Sequence, residues 1–283
     1  MKYFQRENEV EIADIGDFEP EKIFECGQCF RWNADESGAY TGVAMGKASR
    51  VRKSGGSILI SGTLEDFETV WRGYFDLDRD YGAIGRALSI DDYMADAVRY
   101  GAGIRILEQD KWEALCSFIL SQCNNIPRIK SIVEKFCALY GTPVLFEGGT
   151  YYTFPTAAAT AALREEDLSP IRCGFRASSL LEAARAVAEG TVDLEKLSRG
   201  TPEEAAAALK KLSRVGDKVA SCVMLFGLHM LDAFPVDTWM KKALGEQYPQ
   251  GLDPAVFSPW AGIAQQYMFH YRRCGTGRRK NTA

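Results

Sequence analysis

Two regimes of hydrophobic patterning divide the chain. Up to about residue 62, apolar side chains fall in short runs, which predict strands at 10–13, 29–32, 40–45, 49–53 and 57–62. Clusters of Gly, Asn, Asp and Ser at 33–38 and 54–57 punctuate them, and such short spacings imply hairpins and an antiparallel sheet. Leu64, Phe67, Val70, Trp71 and Tyr74 then recur at helical spacing, so a helix over 64–74 covers the sheet. From about residue 90 the period is 3.6. Asp110 with Glu113 predicts a capping box ahead of Trp112, Leu115, Cys116 and Ile119. Pro127 suits a first helical turn, and the stripe Ile129, Ile132, Val133, Phe136, Tyr140 stops at Gly141. The stretch 178–189 is helical by its Ala and Leu content. Thr201-Pro202-Glu203-Glu204 is a strong helix start, for a helix ending near Lys211.

The pattern predicts an α+β protein: an N-terminal antiparallel β domain with a covering helix over residues 1–90, followed by a helical body over 91–283. A second split within the helices leaves no mark in the sequence.

Composition narrows the function classes. The chain has 283 residues, 46% of them apolar and 25% charged, the mix of a soluble globular protein. No apolar run approaches the length that spans a bilayer, and the N-terminus lacks an apolar signal core, so a cytoplasmic protein is expected. The eight cysteines are then expected to be reduced. Cys26 and Cys29 form a single CxxC without the second pair a zinc ribbon needs. With only His229 and His270 in the chain, catalysis falls to Lys, Asp, Glu, Cys or Tyr. The net charge of −4 argues mildly against a polyanion ligand, although local helix ends rather than total charge set phosphate binding. The basic cluster Arg272, Arg273, Arg278, Arg279, Lys280 reads first as a solvated tail.

The most informative stretch is Leu212-Ser213-Arg214-Val215-Gly216-Asp217-Lys218-Val219-Ala220-Ser221-Cys222. One helix ends, a tight turn follows at Gly216, and Asp217 is placed to cap a new helix. Outward amides around Gly216 would then seat a backbone phosphate without any side-chain charge. Lys218 falls in the first helical turn, where the dipole disfavours a cation. By position alone it is an exposed lysine; the same field would also make a neutral amine there a better nucleophile. Nineteen residues after Lys218 comes Asp237, in the segment Phe234-Pro235-Val236-Asp237-Thr238-Trp239. Asp237 reads either as a plain N-cap or as a carboxylate that stabilises positive charge building on a sugar carbon.

Together these two stretches resemble the helix–hairpin–helix DNA glycosylase superfamily, and the lysine resembles its bifunctional branch. Three further segments are similar to 8-oxoguanine DNA glycosylases: Gly27-Gln28-Cys29-Phe30-Arg31-Trp32, Asn124-Asn125-Ile126-Pro127-Arg128, and Trp260-Ala261-Gly262-Ile263-Ala264-Gln265 leading to Phe269. With Gly174-Phe175-Arg176 they run in order over nearly the whole chain.

The resemblance implies a small β domain and a two-part helical body carrying the hairpin, at about 203–230. It implies that Lys218 attacks C1′ as a Schiff-base nucleophile and that Asp237 supports the charged intermediate. The Gly27 carbonyl would accept N7–H, which the oxidised base has and guanine lacks. Gln265 would read the Watson–Crick edge, and Cys222 and Phe269 would sandwich the extruded ring. Arg128 and Arg176 would contact the base left behind, with Phe175 wedged into the vacated stack. Asn124, Asn125, Arg214, Val215, Gly216 and Thr238 complete the expected DNA contacts. Each of these residues alone also has an ordinary structural reading.

The sequence departs from the family pattern at Ser213-Arg214, where Pro-Gly is usual, at Cys123 in place of an asparagine, at Phe175 in place of a tyrosine, and at Thr238 where a phosphate-touching histidine is common. The implied partner is double-stranded DNA containing an oxidised guanine, bound by a monomer. No cofactor or side-chain metal site is implied, beyond a cation that hairpin carbonyls can hold. A glycosylase for alkylated purines or another oxidised base remains an alternative, as does a non-catalytic DNA-gripping module.

Overall fold

The computed structural model describes residues 1–275. Six strands form one antiparallel sheet: β1 (Lys2–Arg6), β2 (Glu9–Ala13), β3 (Trp32–Ala34), β4 (Tyr40–Ala44), β5 (Lys47–Ser54) and β6 (Ser57–Ser61), in the order β1-β2-β6-β5-β4-β3. The expected strand over 29–32 begins only at Trp32, because Cys26–Arg31 is spent on a turn that enters the second core. The exposed strand β1, with Tyr3 and Phe4 side by side, carries no apolar alternation and was not legible.

Helix α1 (Pro20–Glu25) lies between β2 and β3. The covering helix is one run of α2 (Leu64–Asp66), a π-turn (Phe67–Trp71) and α3 (Arg72–Tyr74), opened by a capping box between Thr63 and Asp66. It buries Phe67, Trp71 and Phe75 against Phe24 and Trp32, whose rings stack at 4.5 Å.

The helical body follows: α4 (Tyr81–Leu88), α5 (Asp92–Gly101), α6 (Lys111–Leu120), α7 (Ile126–Tyr140), α8 (Ala157–Ala161), α9 (Arg176–Ala188), α10 (Leu194–Ser198), α11 (Pro202–Leu209), α12 (Asp217–Phe226), α13 (Thr238–Gln247) and α14 (Ala261–His270). It is interrupted by a hairpin of β7 (Pro143–Phe146) and β8 (Gly149–Tyr152), which the helical pattern did not announce. Asp110 caps α6 through the Glu113 amide at 2.8 Å, but Glu113 does not return the bond. It turns inward to Arg31, 3.5 Å away, and burial pushes its carboxyl up to about 7. The box at Thr201 and Glu204 is complete, and its helix ends at Leu209.

Two apolar cores result. The first gathers the sheet, the covering helix and Leu107; the second gathers the helices from Tyr81 onward. The segment after α1 joins them, since Cys29 and Trp32 belong to the first core and Cys26 and Phe30 to the second. Gly27 therefore sits on the seam. Among the described residues no helix is long and apolar enough to cross a membrane.

Candidate active site

Between α11 and α12 the chain makes the hairpin, by a different local route from the one expected. Gly216 is the N-cap with φ −90° and ψ −174°, an extended backbone open to any residue. The left-handed residue is Arg214, at φ +60°. Arg214 thus keeps the turn where the family pattern has glycine, at a cost of about 1–2 kcal/mol for a side chain in that region. Asp217 does not cap; it begins α12 and pairs with Lys210 at 2.9 Å. The Val215 amide is spent within the turn on the Leu212 carbonyl (3.1 Å) and its side chain is buried. No side chain caps α12, so the amides that follow Gly216 have no side-chain acceptor.

Lys218, in the first turn of α12, extends toward the end of α6. Its Nζ lies 3.5 Å from Ser121 Oγ and 5.6 Å from the centre of the Phe118 ring. Ser121 Oγ donates to the Phe118 carbonyl at 2.8 Å, which leaves its lone pairs for the amine. Cys222, one turn further on, is buried; burial raises its thiol, and the neighbouring Lys218 opposes that rise. Asp237 is the N-cap of α13, accepting from the Met240 amide at 2.8 Å. The cap fixes one carboxylate oxygen, so the N-cap reading and the carboxylate reading are compatible.

Two cavities meet at these residues. One, of about 50 Å³, is lined by Gly27, Lys218, Cys222, Asp237, Gln265 and Phe269, together with Cys26, Phe118, Phe226, Pro235 and Gln266. All four expected base-binding residues and both expected catalytic residues thus share one pocket. Gln265 is 4% exposed and its Oε1 has no partner among the described residues, as a reader of an incoming base edge would require. Gly27 has φ +86°, which L side chains rarely adopt, and a Cβ there would lie 3.0 Å from Ile126 Cδ1, so any side chain at this position would be strained. The cavity is far below the roughly 300 Å³ at which ligand pockets begin.

The second cavity, about 590 Å³, is an open groove along Ser121, Gln122, Cys123, Asn124, Arg214, Gly216, Thr238, Trp239 and Lys241. Lys218 and Asp237 line both spaces. Beside the groove, Phe175 is 47% exposed, with the Arg176 and Arg214 guanidinium carbons 4.4 and 5.2 Å from its ring centre.

The remaining expected contacts divide. Arg128 is exposed at the start of α7, and Asn125 caps that helix by accepting from the Arg128 amide at 3.0 Å. Asn124 donates to the Leu120 carbonyl at 3.1 Å. Arg176 is buried rather than presented: it donates to the carbonyls of Gln122, Cys123 and Cys173, holding the left-handed turn at Cys123. In this state its guanidinium serves the protein backbone. Of the basic cluster, Arg272 pairs with Glu246 and Arg273 donates to the Glu25 carbonyl, while Arg278, Arg279 and Lys280 lie outside the described residues. Among the described residues, no group of three His, Cys, Asp or Glu is placed to hold a metal ion. Ser121, Trp239 and the buried Gln28, Gln109 and Gln266 were not singled out by sequence; only their adjacency to motif residues signals them.

The chain is similar to known proteins along nearly its whole length. The description "8-oxoguanine DNA glycosylase, N-terminal domain" matches residues 12–115, and "HhH-GPD superfamily base excision DNA repair protein" matches residues 116–250. The chain belongs to the helix–hairpin–helix 8-oxoguanine DNA glycosylase family. The structure of MBOgg1 in complex with a low-affinity DNA ligand superposes with a TM-score of 0.93 at 40% identity, covering 98% of this chain and 100% of that one. The Clostridium acetobutylicum 8-oxoguanine glycosylase/lyase, in complex with double-stranded DNA containing cytosine opposite 8-oxoguanine, gives 0.92 at 38% identity, over 98% and 99%. The Saccharomyces cerevisiae N-glycosylase/DNA lyase is 29% identical over 252 residues, 80% of this chain and 67% of its own length. Within this family the β sheet followed by a hairpin-bearing helical body is the shared architecture.

Proposed function

We propose that the protein excises 8-oxoguanine from duplex DNA and then cleaves the strand at the resulting site. The observation that carries this reading is that Lys218 and Asp237 line both the base cavity and the open groove. A sugar lying at that junction, with its base in the cavity and its phosphates in the groove, is within reach of both.

In this reading Lys218 attacks C1′ as the base departs, and Asp237 offsets the positive charge that builds on the sugar. The Schiff base so formed permits β-elimination of the 3′ phosphate. Gly27 accepts N7–H, Gln265 pairs with the Watson–Crick edge, and Cys222 and Phe269 enclose the ring. Phe175 fills the gap in the stack, Arg128 meets the base left behind, and the α12 amides with Arg214 and Thr238 hold the backbone. Asn124 and Asn125 shape the approach to the opposite strand.

Residues 1–90 then act as the domain that presents Gly27, and residues 91–283 as the body that grips and cuts. The working form is a monomer in the cytoplasm, on the nucleoid in a bacterial host. It needs no cofactor, and a cation held by hairpin carbonyls would serve only to fasten a phosphate. A panel of duplexes carrying 8-oxoguanine, 3-methyladenine or an oxidised pyrimidine tests the assignment. Excision with strand cleavage is expected for 8-oxoguanine; preference for 3-methyladenine, or binding without turnover, would contradict it.

A further inference from the structure

The residues on either side of Gly27 have their carbonyls fastened by buried glutamines. Gln266, on α14 and 2% exposed, donates Nε2 to the Cys26 carbonyl at 3.0 Å. Gln109, also buried, donates Nε2 to the Gln28 carbonyl at 2.8 Å. Gln28 itself is fully buried and tied at both ends of its amide. Its Nε2 donates to the carbonyls of Ile23 (3.0 Å) and Arg105 (2.8 Å), and its Oε1 accepts from the Leu107 amide at 2.9 Å. The carbonyls before and after Gly27 are thus both taken by side-chain donors. Between them, the Gly27 peptide lines the base cavity.

We infer that Gln28, Gln109 and Gln266 form a rigid frame that sets the Gly27 carbonyl for base discrimination, as positioning residues. The inference rests on the proposed reading in which that carbonyl accepts N7–H. Guanine and its oxidised form differ there by one proton, so a fixed acceptor favours one base and repels the lone pair of the other. An acceptor free to swing by an ångström would relax away from guanine and lose the contrast. The seam between the two cores needs such a frame, because Gly27 is left-handed and glycine contributes no side chain to anchor it. Three amides at one residue's flanks exceed what filling a seam requires, since apolar side chains would fill it without buried polar groups to satisfy. Gln266 also couples the frame to the pocket wall, because α14 carries Gln265 beside it and Phe269 one turn on.

The test uses the whole protein in a Lys218→Gln background, which prevents turnover. Affinities are measured for three duplexes, with 8-oxoguanine, guanine or a tetrahydrofuran abasic analogue opposite cytosine. Adding Gln109→Met, at a residue that does not line the base cavity, keeps the volume and removes the donor to the Gln28 carbonyl. The expected result is a fall of about tenfold in the preference for 8-oxoguanine over guanine, with abasic-analogue affinity held within about twofold. An unchanged preference with abasic binding intact overturns the frame while leaving the Gly27 reading standing. If Gln109→Met does not fold, Gln28→Met, which removes the ties of the residue that follows Gly27, is judged by the same two numbers. Loss of abasic binding in both variants overturns the inference in favour of a purely structural role. A parent protein with no preference between the two bases overturns the Gly27 reading, and the frame with it.

Discussion

Lys218 Nζ rests 3.5 Å from Ser121 Oγ, across the contact between the start of α12 and the end of α6. The hydroxyl is oriented by its own bond to the Phe118 carbonyl, so it meets the amine as an acceptor. Ser121→Ala removes that contact without opening a core. Schiff-base formation on an 8-oxoguanine duplex is expected to slow by about five- to tenfold, with abasic-analogue affinity unchanged. Single-turnover trapping rates check this. Equal rates for the two proteins would show that Ser121 is a bystander.

Arg214 combines an unfavourable backbone with a useful charge. Arg214→Gly relieves the left-handed strain but gives back part of the gain through glycine's larger unfolded-state entropy. Stability is expected to hold or rise by up to about 1 kcal/mol. DNA affinity should fall, and the slope of log affinity against log salt should drop by about 1. Thermal melting and a salt titration measure the two effects separately. A variant that loses stability would contradict the assignment of strain to this turn.

Phe175 stands about half exposed between two guanidinium groups, so little folding energy rests on it. Phe175→Ala should leave the melting temperature within a few degrees, roughly the reach of a surface change. Excision from a fully paired duplex should slow markedly. Excision should slow far less when the lesion sits opposite a missing base, where the stack is already broken. A uniform loss on both substrates would count against the wedge.

His270, at the end of α14, is buried. Burial first, then Lys22 and Arg273, depress its imidazole to about 4 from the ordinary 6.5. The folded state therefore favours the neutral ring. Its contribution is fully present above pH 6.5 and is lost as pH falls from 6.5 toward 4. The melting temperatures of the parent and of His270→Gln should run parallel above pH 6.5. Below it, the parent should fall more steeply. Parallel profiles down to pH 4 would contradict the depressed value.

The outline of this fold was legible because its signals are local. Alternation marked β4 to β6, the Thr201-Pro202-Glu203-Glu204 start marked α11, and the lysine and aspartate sat in recognisable surroundings. What escaped was set by tertiary contact. β1 is exposed along nearly its whole length, and its adjacent Tyr3 and Phe4 make no alternation. Glu113 has the right spacing for a capping box, yet the buried Arg31 claims it. Asp217 is a good N-cap type, but the turn places Gly216 at the cap and leaves Asp217 to Lys210. The bonds of Arg176 to three backbone carbonyls likewise left no mark in the sequence. Gln109 and Gln266 come from segments far from Gly27 in sequence, and only folding brings them to its flanks.

Lysine chemistry at the junction of the two cavities is the central claim, and borohydride trapping tests it most directly. The protein is incubated with a duplex containing a single 8-oxoguanine opposite cytosine, and borohydride is added during turnover. A covalent protein–DNA complex is predicted for the parent and none for Lys218→Gln. Absence of the complex from the parent, or its persistence in Lys218→Gln, would contradict the account.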